Sequence, residues 1–433
     1  MCEFEKGLSV AVLGFGRAGR AAADFLLARG AKITVYAEQV PERGLADYRA
    51  QGVDFCFGEF PSCFKEQLLV RSPGIRPDVP AILRSLANGA MLTSETELFF
   101  EHCPARVIGV TGSDGKTTTA NLIAALLRGA GHTVHLGGNN GTPLLPTVDR
   151  MKKSDFAVVE LSSFQLMTLD RSPEIAVITN ITPNHLNWHT EMNEYIAAKC
   201  RIFKSGTQRL ILNENSDILQ EIAKRVSISV TFFSANECEL CLFEAGTEQR
   251  LSVPDTFLLP GQHNRENLAA AYAAVRGFVT PKVMQTALTD FRGVPHRLQY
   301  IDTVAGVNYY NSSIDTSPTR TVAALSAIGG HPLVIVGGRG KGVSFAPVAD
   351  ALAAHARAVF LYGEAASEIE TAVAGRVPTH RFTEFSLAFD AAARMAKSGD
   401  TVLLSPACTA FDQFRDFEQR GDFFCTLVKN LKQ

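Results

Sequence analysis

Residues 107–119, VIGVTGSDGKTTT, running on into NLIAALLRGAG, constrain the fold of this chain more than any other stretch. Val107, Ile108 and Val110 read as a short buried strand. Gly112 and Gly115 allow a tight turn, and Asn121 to Arg128 carries helical periodicity. A strand that enters a helix through a glycine turn forms an anion cradle, because free backbone N–H groups and the positive helix end face one point. Gly112, Ser113, Asp114 and Gly115, with Lys116, Thr117 and Thr118 opening the helix, therefore make a candidate ATP site. Lys116 supplies charge and the Thr117 hydroxyl suits Mg2+. The general pattern G-x-x-x-x-G-K-[ST] is missed at one position, where Val110 stands for the first glycine. The bland alternative is a tight turn carrying an exposed lysine.

At 433 residues the chain is too long for one core, and two to four domains are expected. A net charge of −2 offers no electrostatic footprint for nucleic acid or for an anionic membrane. No apolar run reaches membrane-spanning length, and MCEFEKGLSV lacks the layout of a leader, so a cytoplasmic protein is expected. The nine cysteines are scattered, which fits reduced thiols, and the isolated Cys238-x-x-Cys241 reads as chance.

In chain order, LSVAVLGFG at 8–16 reads as a strand entering a second glycine turn, with the helix AGRAAADFLLARG and the strand AKITVY behind it. This βαβ unit carries an intact G-x-G-x-x-G with an acid, Glu38, about twenty positions on, and by itself suggests NAD or another diphosphate. LLVRSPGI at 68–75 is a strand ending in Ser72-Pro73-Gly74, beside the first turn. Residues 81–101 read as helical, and a boundary is expected near Glu97.

After the central helix, HTVHLGGNNG is a strand with a glycine-rich loop, and DFAVVELSSFQL places Glu160 at a strand tip where a Mg2+ ligand would sit. AVITNITPNHL presents His185, and the helix EYIAAKCRIF carries Lys199. Each alone has an ordinary reading: a helix cap, a loop histidine, a solvated lysine. Successive strand ends converging on one phosphate site favour the functional one. Residues 205–260 alternate short strands with polar turns. Asn264 and Asn267 open an alanine-rich helix, where they either cap it or read an adenine edge.

From about Gln299 the strand–loop–helix pattern restarts, predicting a third α/β domain with a mostly parallel sheet. Its loops carry Thr316, Arg320, Lys341 and Ser405, suited to an anionic ligand, while Phe414, Phe417 and Phe424 at near-helical spacing read mainly as core.

GVTGSDGKTTT, ELSSFQL, the PNHLNWH–EYIAAK pair, GQHNRENLAAA, PHRLQ and LSPACTAFDQFRDFEQRGD occur in this order and together resemble the Mur ligases over essentially the whole chain. The resemblance implies α/β architecture in three domains: residues 1–97, Rossmann-like, for a UDP-sugar; 98–298, a P-loop ATPase with a mostly parallel sheet; and 299–433, Rossmann-like, for the amino acid. The likeness is greatest to the members that join D-glutamate to UDP-N-acetylmuramoyl-L-alanine through an acyl phosphate and a tetrahedral intermediate. It implies two Mg2+ ions, held by Thr117 and Glu160 and by His185 and a Lys199 carbamylated by CO2. Asn264, Asn267 and Arg297 would line ATP. Gly16, Arg17, Ala18, Ser72, Pro73 and Gly74 would meet the UDP diphosphate, which replaces the NAD reading. Asn139 and His185 would lie along the muramoyl group, and Thr316, Lys341, Ser405 and Phe417 toward D-glutamate. A cytoplasmic monomer acting on small molecules is implied.

Three positions depart from the family pattern. Ser312 stands where an aspartate follows the asparagine of Y-N-D-S, with Asp315 as a candidate substitute near the ATP ribose. Ala410 replaces a serine facing the glutamate side chain, next to Thr409. The acid after the second strand falls at Ala37, beside Glu38. Competing readings are a ligase adding L-glutamate or another amino acid, an NAD-dependent oxidoreductase, and a non-catalytic nucleotide-binding assembly protein. The oxidoreductase leaves the P-loop, Glu160 and Lys199 without a role, and the complete metal set argues against the assembly protein.

Overall fold

The computed structural model describes residues 7–39, 45–139, 141–259, 261–289, 291 and 293–432; the first six residues of the stretch read as lacking a leader lie outside them. The chain forms two compact units, residues 1–256 with 262–289, and residues 257–261 with 290–433.

The first unit holds two sheets. One consists of β1 (Ser9–Leu13), β2 (Lys32–Ala37), β3 (Asp54–Phe57), β4 (Leu68–Arg71) and β5 (Met91–Thr93), all parallel, in the order β3-β2-β1-β4-β5. Strands of such a sheet are buried on both faces and read as continuous apolar runs. Val10 and Val12 pack with Phe25 and Leu26 on one face, while Ala11 and Leu13 pack with Phe64 and Ile82 on the other. Strand order reverses between β1 and β4, so the crevice where such sheets collect ligands opens between the Gly14 and Ser72 turns. Gly14 sits at φ 84°, and a Cβ on Gly19 would lie 2.1 Å from the Gly14 carbonyl oxygen. Only glycine permits that helix to start so close to β1.

The single helix expected over 81–101 is instead a helix Pro80–Ala87, the strand β5 and a second helix Glu95–His102. Asn88 and Gly89, the latter at φ 93°, end the first helix. Leu68 to Val70 then capture Met91 to Thr93 as an edge strand. Ser94 caps the second helix by accepting the Glu97 N–H at 3.1 Å. Glu97, near which a boundary is expected, lies inside this second helix.

The second sheet comprises β6 (Arg106–Thr111), β7 (Val134–Gly138), β8 (Phe156–Glu160), β9 (Ile175–Ile178), β10 (Arg209–Asn213), β11 (Ser229–Ala235), β12 (Glu239–Glu244) and β13 (Thr247–Ser252). Their order is β13-β12-β11-β10-β9-β6-β8-β7, parallel from β11 to β7 and antiparallel in the pairs β11–β12 and β12–β13. β6 lies between β9 and β8, so the turn after it is flanked by two more strand ends. The helix Lys116–Gly129 buries Leu122, Ile123, Leu126 and Leu127, each contributing roughly 1.5–3 kcal/mol. It packs against the helix Gln262–Val275, which is buried continuously from Asn267 to Val275.

The second unit carries β14 (Gln299–Val304), β15 (Val307–Asn311), β16 (Leu333–Gly337), β17 (Ala358–Tyr362), β18 (Thr379–Arg381) and β19 (Thr401–Ala407), ordered β14-β15-β19-β16-β17-β18. It is parallel except for the β14–β15 hairpin. Phe424 is core against Phe389, Phe414 packs on Phe385, and Phe417 opens the last helix, Phe417–Asn430. No helix among the described residues is long and apolar enough to cross a membrane.

Candidate active site

The turn between β6 and the helix Lys116–Gly129 is held open by its neighbours. Gly112 stands at φ 151° with Thr179 so close that a Cβ would lie 1.9 Å from its Oγ1; a Cβ on Gly115 would lie 2.3 Å from Asn267 Oδ1. Asn180, just beyond β9, accepts the N–H groups of Ser113 (3.1 Å) and Asp114 (2.9 Å) on its side-chain oxygen. The Ser113 hydroxyl donates to the Thr182 carbonyl at 2.8 Å and lies 2.9 Å from the Tyr195 hydroxyl. Lys116 curls back, its ammonium donating to the carbonyl oxygens of Gly112 (3.0 Å) and Ser113 (2.8 Å). Thr117 and Thr118 occupy the first helical turn.

Glu160 ends β8, paired with Val110 of β6, and is 2% exposed. One carboxylate oxygen accepts the Asn139 side-chain amide at 2.8 Å; the other, Oε2, is buried and has no hydrogen-bond partner among the described residues. Glu160 caps no helix, since Ser162 performs that role for the next one. An orphaned buried carboxylate oxygen is costly unless a cation meets it.

Lys199 lies on the helix Met192–Cys200 and is 1% exposed, so the reading as a solvated lysine fails. Its amine donates to the Gly112 carbonyl at 2.6 Å and sits 4.6 Å from the Tyr195 ring centroid. Burial, reinforced by the Lys116 charge, brings its pKa down to about 7. His185 is placed seven residues beyond β9, at φ 56°. Desolvation, with the charges of Lys116 and Lys199, lowers its pKa and favours the neutral, lone-pair-bearing imidazole. Among the described residues no three His, Cys, Asp or Glu side chains group as a metal site by themselves.

Around this centre, the Asn267 side-chain oxygen accepts the Thr119 hydroxyl at 3.2 Å beside Gly115, and its amide reaches the Asn264 side-chain oxygen at 3.4 Å. At the first sheet, the Ser72 hydroxyl donates to the Gly14 carbonyl at 3.1 Å, uniting Gly16, Arg17 and Ala18 with Ser72, Pro73 and Gly74 around one crevice. Arg17 donates to the Gly141 carbonyl at 3.2 Å, linking this crevice to the loop of Asn139.

In the second unit, Asp315 is 6% exposed and accepts the Ser405 hydroxyl at 2.8 Å; burial raises its pKa to about 6. Ser405 is fully buried and holds Asp315 and Thr321. Ser312 is buried too, its hydroxyl accepting the Leu298 N–H at 3.1 Å. Lys341 donates to the Thr316 hydroxyl at 3.1 Å, so these two share one surface. Phe417 packs 6.1 Å from the His296 ring, and Arg297 lies next to that histidine.

Several residues of the site were not anticipated. Asn180 was signalled by its place two residues past a buried strand. Arg71, an arginine inside the apolar strand LLVR, was signalled by its incongruity.

A glycine turn entering a helix between parallel strands, with an acid at the adjoining strand end, defines the P-loop class of nucleotide fold. Residues 8–94 match the Mur ligase MurD-like N-terminal domain, 110–275 the Mur ligase middle domain, and 296–408 the Mur ligase glutamate ligase domain. The chain is 38% identical to the UDP-N-acetylmuramoylalanine–D-glutamate ligase of Acetivibrio thermocellus, over 99% of this chain and 97% of that one. The chain belongs to the Mur ligase family, whose members are ATP-dependent. Its fold resembles the UDP-N-acetylmuramate–alanine ligase of Thermotoga maritima (TM-score 0.57, 18% identity, 98% of this chain and 99% of that one). It also resembles a bifunctional folylpolyglutamate/dihydrofolate synthase solved with Mn, AMPPNP and L-glutamate (TM-score 0.53, 16% identity, 77% and 92%).

Proposed function

We propose that this protein is an ATP-dependent amide-bond ligase that joins D-glutamate to UDP-N-acetylmuramoyl-L-alanine, as a cytoplasmic monomer supplying peptidoglycan precursors. The observation that carries the reading is the buried pair formed around the phosphate turn: Glu160 with an orphaned carboxylate oxygen, and Lys199 with an amine depressed to about 7. A binding module needs neither.

The residues fit divalent cations. Thr117 and Glu160 would hold one Mg2+, and His185 with a carbamylated Lys199 the other. A lysine with a pKa near 7 holds a large fraction of neutral amine at physiological pH, the form that adds to CO2 with loss of a proton. Bound there, the cations supply charge compensation between triphosphate and carboxylate.

The chain's own groups do the rest. Backbone N–H groups of the turn and the Lys116 ammonium bind the β- and γ-phosphates and stabilise charge that builds as ADP departs. Asn264, Asn267 and Arg297 line the nucleoside, with Asp315 toward the ribose. The crevice of Gly16 to Ala18 and Ser72 to Gly74 binds the UDP diphosphate. Asn139 and His185 orient the muramoyl arm so that its terminal carboxylate meets the γ-phosphorus. The acyl phosphate so formed is attacked by the amine of D-glutamate, held by Thr316, Lys341 and Phe417, and the tetrahedral intermediate expels phosphate. Residues 1–97, 98–298 and 299–433 divide these tasks.

The test is label transfer. UDP-N-acetylmuramoyl-L-alanine with heavy oxygen in its alanyl carboxylate should deliver one label to the phosphate released. Unlabelled phosphate formed alongside amide product would exclude the acyl phosphate. A preference for L-glutamate is the second reading, favoured by Ala410 beside Thr409.

A further inference from the structure

The loop after β4 is gripped at both ends by arginines that reach the second sheet's elements. Arg71, 1% exposed, donates to the Pro73 carbonyl at 3.1 Å and, through its other terminal nitrogen, to the Phe164 carbonyl (2.7 Å) and the Thr168 hydroxyl (3.1 Å). Arg76 donates to the Trp188 carbonyl at 2.7 Å, pairs with Glu194 at 2.8 Å, and lies 5.0 Å from the Trp188 ring centroid. Trp188 returns the contact, its indole N–H donating to the Gly74 carbonyl at 3.1 Å. The same indole packs 4.3 Å from Phe164, whose ring is 5.0 Å from His185. The amides of Trp188 and His189 both donate to the His185 carbonyl, at 3.0 and 2.9 Å. One turn therefore holds His185 in its left-handed conformation and presents Trp188 to the loop of Ser72, Pro73 and Gly74.

A lone exposed ion pair contributes little to stability or to orientation. Here the arginine fork, two backbone carbonyls and one indole close a ring of contacts. A shift of Gly74 must be answered by a shift of the His185 turn, because the indole is wedged between Gly74 and Phe164.

We propose that Arg76 and Trp188 are positioning residues that couple the diphosphate loop to the His185 turn, so that UDP-sugar binding and metal–nucleotide binding reinforce each other. This rests on the proposed function for its assignment of the two sites. Neither residue touches the reacting atoms in that reading; both act through what they hold.

Trp188 is the only tryptophan in the chain, so indole emission reports this contact directly. UDP-N-acetylmuramoyl-L-alanine is titrated into the full chain, with and without Mg2+ and AMPPNP, by calorimetry and by fluorescence. The UDP-sugar should change the indole emission and should tighten AMPPNP binding by about tenfold. Arg76→Ala should bring that factor within about twofold while leaving the affinity for AMPPNP alone unchanged. Arg76→Lys, which keeps the charge opposite Glu194 but not the fork, should recover part of it. If Arg76→Ala loses its cooperative thermal unfolding, Trp188→Phe takes its place in calorimetry; it keeps the ring on Phe164, removes the N–H to Gly74, and should also lose the coupling. Undiminished coupling in the folded variant, or calorimetric binding with silent emission, overturns the proposal and leaves the function standing. Failure of the wild-type chain to bind the UDP-sugar overturns both.

Discussion

Lys199 and Lys116 donate to the same acceptor, the carbonyl oxygen of Gly112, at 2.6 and 3.0 Å. Two ammonium groups on one carbonyl repel, and burial of the Lys199 amine adds to the cost of its charge. Converting that amine to a carbamate would turn the repulsion into attraction. Lys199→Ala is therefore expected to lower turnover by about 10²-fold or more, since a cation ligand is lost. Added acetate or formate, filling the vacated volume with a carboxylate, should restore part of it. Near-normal turnover in the unsupplemented variant would sink the carbamate assignment.

The same lysine should shape stability. Its folded pKa, about 7, lies below the ordinary 10.5, so between these values the unfolded chain binds more protons and stability rises with pH. At and below pH 7 the buried charge costs of the order of 4 kcal/mol, and the cost vanishes as pH approaches the unfolded value. Lys199→Met should accordingly stabilise the protein at pH 6.5 in CO2-free buffer, with a gain that shrinks steadily toward about pH 10. Denaturant melts across that range measure it; a gain constant with pH would contradict the account.

Glu95 behaves in the opposite sense. It accepts the Leu145 N–H at 3.3 Å, and burial raises its pKa from 4.5 to about 7. In that window the folded chain holds a proton that the unfolded chain has released, so stability falls as pH rises, by about 3 kcal/mol in all. Glu95→Gln should remove this slope and be the more stable form at pH 8. Parallel melting curves for the two proteins from pH 5 to 8 would refute it.

Gly112→Ala should damage nucleotide binding more than folding. A methyl group there meets the Thr179 hydroxyl at 1.9 Å, on a backbone at φ 151° that favours glycine. The turn must move, and about a tenfold or greater loss of AMPPNP affinity is expected, since its N–H groups no longer converge. Calorimetry with AMPPNP reads it out, and unchanged affinity would show that the turn does not cradle phosphate.

Much of this was legible in the sequence because glycine turns at strand ends announce themselves. Gly14, Gly112 and Gly115 occupy conformations or approaches that a side chain would block, and the strands feeding them are plain apolar runs. Glu160 at the tip of β8 was legible for the same reason. The strand β5 was not: Met91 to Thr93 carries no strand pattern of its own and is recruited by pairing with β4. The G-x-G-x-x-G unit is equally ambiguous, since the turn reports a diphosphate and not its bearer. The burial of Lys199 could not be read from helical spacing, because it depends on the Gly112 loop arriving from another element. The Arg76–Trp188 clamp joins residues far apart in the chain and leaves no local signal.

Phosphate release from ATP with Mg2+ and UDP-N-acetylmuramoyl-L-alanine, compared with D-glutamate, with L-glutamate and with no amino acid, distinguishes a D-glutamate ligase from its alternatives. Sustained release that needs both the UDP-sugar and D-glutamate is the expected result. Release with L-glutamate but not D-glutamate would keep the mechanism and contradict the assigned substrate, and no release in any of the three would contradict the ligase itself.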